Sequence, residues 1–244
     1  MALSDKHIFA IYIANFWNNV YKVDAIVKII DPDIVHRLIK VLRIQIGQRF
    51  IFFDSVYHGI IEISDISKKY FLVTIINFEK NIEPLVKIKF LLPLLKKEAL
   101  EEAVYSLVEI GVSEIQLVVT QKSRQKLLND NEFVRLEAIV VSAAEQSKNY
   151  VIPKIKLPIH LSDIQFSLQE QKIVFDPQGE SFFDLKVKIL KSKEIHLLVG
   201  PEGGLAKEEL QQLEHYLFQK CRLTSTILRA VQAISVGVGL FKAT

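Results

Sequence analysis

The stretch of this chain best suited to chemistry is a glycine-rich loop, Gly200-Pro201-Glu202-Gly203-Gly204. Its three glycines let backbone N–H groups approach a ligand without interference from a Cβ atom, and the proline stiffens the loop. The spacing matches neither the glycine fingerprint of dinucleotide-binding folds nor that of phosphate-binding P-loops, and no lysine follows the glycines. These residues therefore indicate a rigid binding loop whose ligand need not be a polyphosphate.

The elements around this loop predict a parallel sheet. An apolar run, Ile195 to Val199, precedes the loop, and a helical pattern from Lys207 to Phe218 follows it. Similar apolar runs end at Asp176-Pro177 and at Thr224-Ser225-Thr226, within an alternation of strands and helices that favours a sheet covered on both faces. Because ligands collect beyond the carboxyl ends of parallel strands, all three loops are candidates for ligand contact.

The first 80 residues differ in pattern, since short strands predominate there and one helix is predicted. Asp31 is the expected N-cap of this helix, with Pro32 at its first position. Its apolar stripe is predicted to consist of Val35, Leu38, Ile39 and Leu42. Its opposite face carries His36, Lys40 and Arg43, with Arg37 and Arg49 nearby. A face that contacts phosphates and a face that is merely solvated both fit this pattern.

Composition narrows the class of protein. Half of the 244 residues are hydrophobic and the mean hydropathy is +0.23, which suits one large domain or two unequal ones. No apolar run reaches the roughly 18 residues of a membrane-spanning helix, and the N-terminus lacks a signal-peptide pattern, so a cytoplasmic protein is expected. One cysteine, Cys221, excludes an internal disulfide, and the scattered histidines predict no metal site. A net charge of +3 permits a polyanionic partner without requiring one.

Five short motifs together resemble the knotted SPOUT-class methyltransferases, specifically the type that methylates N3 of a uridine in small-subunit (16S) ribosomal RNA. The resemblance spans nearly the whole chain, and the order and spacing of the motifs are more specific than any one of them. The motifs are His36 with Val41-Leu42-Arg43 and Gly47, Glu109-Ile110-Gly111-Val112, Glu145-Gln146-Ser147 with Pro153, the glycine-rich loop, and Ile227-Leu228-Arg229.

This resemblance implies an α/β fold of two domains. A PUA-like, RNA-binding β-barrel would occupy residues 1–80, and a trefoil-knotted parallel-sheet SPOUT domain residues 84–244. The implied cofactor is S-adenosylmethionine (SAM), the implied partners are small-subunit ribosomal RNA or the assembled small subunit, and the protein would be a homodimer. The implied cofactor-binding residues are Phe175, Val199, Gly200, Glu202, Gly203, Leu223, Thr224, Ile227 and Leu228, and the implied RNA-binding residues are Arg37, Lys40 and Arg43.

The expected chemistry assigns a catalytic role to Arg229. A methyl sulfonium already carries an activated leaving group, so the enzyme must align the reacting atoms and favour the anionic form of the uracil. A guanidinium beside the uracil oxygens would favour that anionic form. The alternative interpretation is that Arg229 has a structural role at a dimer interface or a helix terminus. Glu202 is expected to orient the loop or to cap the following helix, rather than to act as a base.

The chain departs from the family pattern on the side expected to face the substrate. The family usually has Thr-Glu-Thr where Ala230-Val231-Gln232 stands here, so a carboxylate is missing. Thr226 and Asn149 stand where the family usually has arginine, Thr224 where it has glycine, and Ser106 where it has lysine. A non-catalytic RNA-binding or ribosome-assembly protein is therefore the main alternative, and an enzyme for some other nucleotide is a weaker one because the phosphate-binding lysine is missing.

Overall fold

The structure is a computed structural model that describes residues 8–19, 22–124, 127–167, 170–189 and 192–243. It divides into two compact units, one up to Ile82 and one from Glu83. In the described part of the chain, no helix is both long and apolar enough to cross a membrane.

The N-terminal unit is built around one mainly antiparallel sheet. The sheet order is β1-β3-β4-β5-β2, with β6 paired to β4, and only the β1–β3 pair is parallel. The elements are β1 (Ala10–Tyr12), β2 (Ile26–Ile29), α1 (Pro32–His36), β3 (Arg49–Phe53), β4 (Tyr57–Ile66), β5 (Phe71–Ile75) and β6 (Glu79–Lys80).

Aromatic side chains fill the core of this unit, and Trp17 lies at its centre. The indole is 1% exposed, stacks on Phe78 at 5.2 Å between ring centroids, and donates from Nε1 to the Phe52 carbonyl oxygen at 3.2 Å. The buried Asp54 carboxylate accepts the Trp17 backbone N–H at 3.0 Å. The Trp17 N–H groups and the Asp54 carboxylate are therefore hydrogen-bonded, which offsets the free-energy cost of burying polar groups.

The predicted basic helix begins as expected but does not continue as a regular α-helix. Asp31 caps it, since its carboxylate accepts the N–H groups of Asp33 and Ile34 at 3.0 Å each. After α1 the chain forms a π-helical turn, Arg37–Val41. The wider turn breaks the 3.6-residue period, so Leu42 is 41% exposed and its predicted place in the apolar stripe is wrong.

The C-terminal unit contains a six-stranded, wholly parallel sheet in the order β12-β10-β11-β7-β8-β9, which confirms the predicted α/β class. Helices connect the strands along the chain. The elements are β7 (Lys87–Pro93), α2 (Lys97–Ile110), β8 (Glu114–Val119), α3 (Asp130–Ser147), β9 (Lys154–His160), β10 (Gln171–Ser181), α4 (Phe182–Ile189), β11 (Glu194–Val199), α5 (Lys207–His215), β12 (Gln219–Arg222) and α6 (Ala230–Lys242).

The central strands are buried on both faces. Leu197 and Leu198 are neighbours on β11, so their side chains point to opposite faces, yet each is 0% exposed. Leu198 packs in a cluster that includes Leu213 of α5, while α2 packs against α3 and α6. This double burial explains why the strands appear in the sequence as nearly continuous apolar runs.

Strand β10 is longer than the sequence predicted. Its pairing with β12 shifts register between Phe175 and Glu180, so Asp176-Pro177 lies in an irregularity within the strand rather than in a loop after it. Proline cannot donate to a sheet ladder and is tolerated where the pairing is interrupted, as it is here.

A glycine in α6 provides space for an aromatic ring at the centre of this unit. A Cβ atom built at Gly237 would overlap the ring of Phe175, whereas one built at Gly239 meets no atom within 4 Å. The Phe175 ring is 8% exposed and lies 6.3 Å from both Phe90 and Phe241, so its contacts with these rings oppose its displacement.

Gly237→Ala is therefore expected to lower the free energy of unfolding by about 1–3 kcal/mol through overpacking. Gly239→Ala, in the same helix, is the matched control and is expected to raise it by about 0.5–1 kcal/mol because alanine loses less backbone freedom on folding than glycine does. Chemical denaturation of both variants checks this. If both substitutions changed the free energy of unfolding equally, contact with Phe175 would not be the reason for a glycine at position 237.

Candidate functional site

A cavity of about 670 Å³ lies in the C-terminal unit. Its walls come from the first turns of α2, the β10 irregularity, the glycine-rich loop, and the segment that joins β12 to α6. The sheet order explains this convergence, because β12, β10 and β11 are neighbours and parallel, so the segments beyond their carboxyl ends lie side by side.

All but one of the expected cofactor-binding and catalytic residues line this one cavity. The wall residues among them are Phe175, Val199, Gly200, Glu202, Leu223, Thr224, Ile227, Leu228 and Arg229. Gly203 lies apart from this wall, and a Cβ atom built on it would come within 3.3 Å of the Lys122 side chain. Gly203 thus permits the close approach of a neighbouring loop.

Two carboxylates of α2 line the cavity without having been expected there. Glu98 and Glu102 are one helical turn apart, so they lie on the same face of α2 and both contribute to the wall. The i, i+4 spacing was visible in the sequence, but it also occurs on solvated helix faces. Only the packing of α2 against α6 places these residues beside the cavity.

The cavity is lined by charged residues of both signs. Its carboxylates are Glu98, Glu102, Asp176 and Glu202, and its guanidinium is Arg229. Arg229 is the N-cap residue of α6 and is exposed. Within the described residues its side chain takes part in no ion pair and caps no helical N–H group.

The first turn of α6 adds a second source of positive potential. Ala230, Val231 and Gln232 line the cavity, and the N–H groups at a helix start have no carbonyl partner within the helix. The helix dipole places about half a positive charge at this end. Together with Arg229 it forms a wall suited to a ligand group that carries or develops negative charge.

Glu209, rather than Glu202, performs the structural role that the sequence assigned to Glu202. The Glu209 carboxylate accepts the Ala206 N–H at 2.7 Å and so caps α5. Glu202 is exposed at the cavity wall. The expectation that Glu202 caps the following helix is therefore wrong.

Cys221 does not supply a nucleophile. Burial, with a smaller contribution from the nearby Glu180 carboxylate, raises the pKa of the thiol to about 12. The thiolate is the reactive form of cysteine, so this residue stays protonated and unreactive at neutral pH.

At the opposite end of the sheet, Glu170, Glu194 and His196 approach one another closely enough to resemble a metal site. His196 Nε2 lies 3.4 Å from Glu194 Oε1, but Lys89 Nζ lies 2.6 Å from the same oxygen. Ligation through Nε2 would leave the proton on Nδ1, which is buried without a hydrogen-bond partner, whereas metal-bound histidines normally donate that proton. Burial lowers the pKa of His196. The geometry fits a neutral histidine in an ion-pair cluster.

The basic residues expected to contact RNA lie in the N-terminal unit. Arg37, Lys40 and Arg43 are all exposed, and they follow one another through the π-helical turn and the loop after it. Arg43 has a φ angle of 52°, an uncommon left-handed conformation for a residue with a side chain. The turn therefore presents its positive charge in a defined backbone geometry.

Comparison with known proteins identifies close relatives of this chain. Ribosomal RNA small subunit methyltransferase E of Mesomycoplasma hyopneumoniae is 37% identical over 158 residues, which cover 63% of this chain and 68% of that protein. The enzyme of the same name from Buchnera aphidicola subsp. Acyrthosiphon pisum is 31% identical over 212 residues, covering 83% and 82% respectively.

A solved structure and a family model agree with these relatives. Ribosomal RNA small subunit methyltransferase E from Neisseria gonorrhoeae, crystallised with S-adenosyl methionine, has a TM-score of 0.84 at 22% identity and covers 97% of this chain and 98% of its own. That likeness shows a shared fold. A family model described as an RNA methyltransferase domain matches residues 81–242, which include every residue of the cavity wall. This chain therefore belongs to the RNA methyltransferase family.

Proposed function

We propose that this chain transfers a methyl group from SAM to N3 of a uridine in small-subunit (16S) ribosomal RNA. The observation that carries the proposal is the cavity beyond β12, β10 and β11, in a chain whose relatives are named as small-subunit ribosomal RNA methyltransferases. Its volume falls within the range of roughly 300–1,000 Å³ that is usual for small-molecule sites.

The residues of the cavity fit SAM better than they fit a polyphosphate. SAM carries a positive sulfonium and a positive ammonium group, which the carboxylates Glu98, Glu102 and Asp176 favour, and these same carboxylates repel phosphates. SAM also carries one carboxylate, which the start of α6 can accept. Phe175, Val199 and Leu228 give apolar surface for the adenine. This charge pattern weighs against the alternative of an enzyme for some other nucleotide.

In the proposed mechanism, Arg229 stabilises the negative charge that develops on the uracil oxygens. When bound, SAM supplies a methyl group on an activated sulfonium leaving group. Because the imide of uracil must lose its N3 proton to water before or as N3 attacks the methyl carbon, donors aimed at its oxygens lower the barrier. The guanidinium of Arg229 can donate a charge-assisted hydrogen bond to one of these oxygens and leave N3 open to the methyl group.

The finer features of the architecture form part of the same proposal. We infer a trefoil knot because the chain leaves β11 within the sheet, forms β12 beyond β10, and returns in α6 to pack on α2 and β11. We also infer a PUA-like RNA-binding barrel for the N-terminal unit, from its six strands and basic turn. The protein would act as a homodimer in the cytoplasm, on ribosomal RNA or on the small subunit.

A non-catalytic RNA-binding or assembly protein remains the second candidate because of one observation. Val231, where the family usually has a carboxylate, is an apolar residue that is 8% exposed in the cavity wall. Calorimetric titration with SAM separates the candidates, since the proposed enzyme releases or absorbs heat with a saturable profile. Small subunits that lack their own uridine methylation, incubated with labelled SAM, then identify the methylated base.

Arg229→Ala is expected to lower the rate of methyl transfer by roughly 100-fold to 1,000-fold, the loss typical when one charge-stabilising donor is removed. Affinity for SAM should stay within about threefold, because the proposed role of the guanidinium is to contact the uracil. Arg222→Ala, an exposed arginine outside the cavity wall, is the matched control. Rate measurements at saturating SAM check this, and full activity of Arg229→Ala would remove Arg229 from the mechanism.

Arg43→Gly is expected to weaken RNA binding and to reduce the slope of log affinity against log salt by about 0.7–0.9, the value of one phosphate contact. Glycine adopts the positive φ of 52° at this position without strain, so only the side chain is lost. Arg43→Lys, which keeps the charge, should retain the slope. Filter binding at several salt concentrations measures it, and an unchanged slope in Arg43→Gly would mean that this turn is merely solvated.

A further inference from the structure

The Glu209 side chain occupies an unusual position for a carboxylate. It is 7% exposed, and its two oxygens accept backbone N–H groups from two separate loops. Oε2 accepts the Ala206 N–H at 2.7 Å, at the end of the glycine-rich loop, and Oε1 accepts the Gln121 N–H at 2.7 Å, in the loop after β8. Distances this short are typical of charge-assisted hydrogen bonds.

The first residues of the loop after β8, Thr120 to Arg124, are held by hydrogen bonds of their own. The hydroxyl of Ser123 accepts the Thr120 N–H at 3.0 Å, the Ser123 N–H returns to the Thr120 carbonyl at 3.1 Å, and the Arg124 N–H reaches the Leu94 carbonyl at 3.0 Å. The loop is therefore anchored to β8 and to the end of β7. It provides a rigid support against which another loop can be held.

The glycine-rich loop contacts this support closely at one further point. A Cβ atom at Gly203 would lie 3.3 Å from Cβ and Cδ of Lys122, and Lys122 Nζ lies 3.4 Å from the Leu205 carbonyl oxygen. On its other side the same loop presents Gly200, Pro201 and Glu202 to the cavity. A shift of the loop away from its support would thus change the cavity wall.

We propose that Glu209 is a positioning residue for cofactor binding, because its carboxylate fixes the glycine-rich loop against the loop after β8. The inference rests on the proposed function of the cavity as a SAM site. Glu209 itself does not line the cavity. It acts through the backbone of residues 200–206, whose position sets the shape of the wall.

The proposal requires a carboxylate specifically. Two N–H donors need two acceptors on one side chain, which a carboxylate supplies and a carboxamide does not. In Glu209→Gln one backbone N–H would face an NH₂ group, so one connection between the loops would be replaced by a contact between two donors. Position 209 lies in the first turn of α5, where the helix dipole also favours a negative charge.

The test compares Glu209→Gln with Glu208→Gln. Glu208 is the adjacent residue in the same turn and is exposed, so its replacement removes the same charge without touching either loop. In Glu209→Gln the Kd and the KM for SAM are expected to rise roughly tenfold or more, the loss typical when a buried charge-assisted hydrogen bond is removed. The kcat at saturating SAM and the affinity for RNA should stay within about twofold, and Glu208→Gln should bind SAM as wild type does.

Glu209→Asp is a milder second variant, for use if Glu209→Gln does not fold. It keeps the charge but has a shorter side chain, so it should raise the Kd for SAM by a smaller factor. Hydrogen exchange of the Gln121 amide should be faster in both variants than in wild type. Wild-type affinity for SAM in folded Glu209→Gln, or in Glu209→Asp, would overturn the positioning role alone. Wild-type protein that binds no SAM would overturn the proposed function and this inference with it.

Discussion

The site depends above all on the order of the parallel strands in the C-terminal unit. Because β12, β10 and β11 are neighbours that run in one direction, the segments beyond their carboxyl ends must lie together. Segments separated by tens of residues in the chain, at Asp176, Gly200 and Thr224, thereby line a single cavity. The double burial of β11 fixes the strand that leads into the glycine-rich loop, and the first turn of α6 contributes to the cavity wall.

The charges of the cavity follow from where the helices begin. α2 starts beyond β7 and presents Glu98 and Glu102, while α6 starts at Arg229 and presents its unpaired N–H groups. A positive cofactor and a nucleobase that becomes negative during methylation require opposite potentials within a short distance. A cavity lined by carboxylates as well as by a helix start and Arg229 can meet both requirements.

The sequence predicted structural features reliably where they depend on interactions between residues close together in the chain. Asp31 was predicted as a helix cap, and its carboxylate accepts the backbone N–H groups expected of it. Gly111 ends α2 with a φ of 83°, the left-handed conformation that glycine adopts readily. Predictions failed where distant contacts intervene: the π-helical turn after His36 and the irregularity in β10 depend on partners that nearby residues do not reveal.

The sequence by itself determined the residue types of the site: a glycine-rich loop that can approach a ligand, apolar strands that lead to it, and Arg229 at the start of the last helix. Tertiary structure alone decided which carboxylates share the cavity and that Glu209, rather than Glu202, holds the loop. The reason is that burial and hydrogen bonding between Glu209 and Gln121 join positions 88 residues apart, a separation that no local pattern encodes.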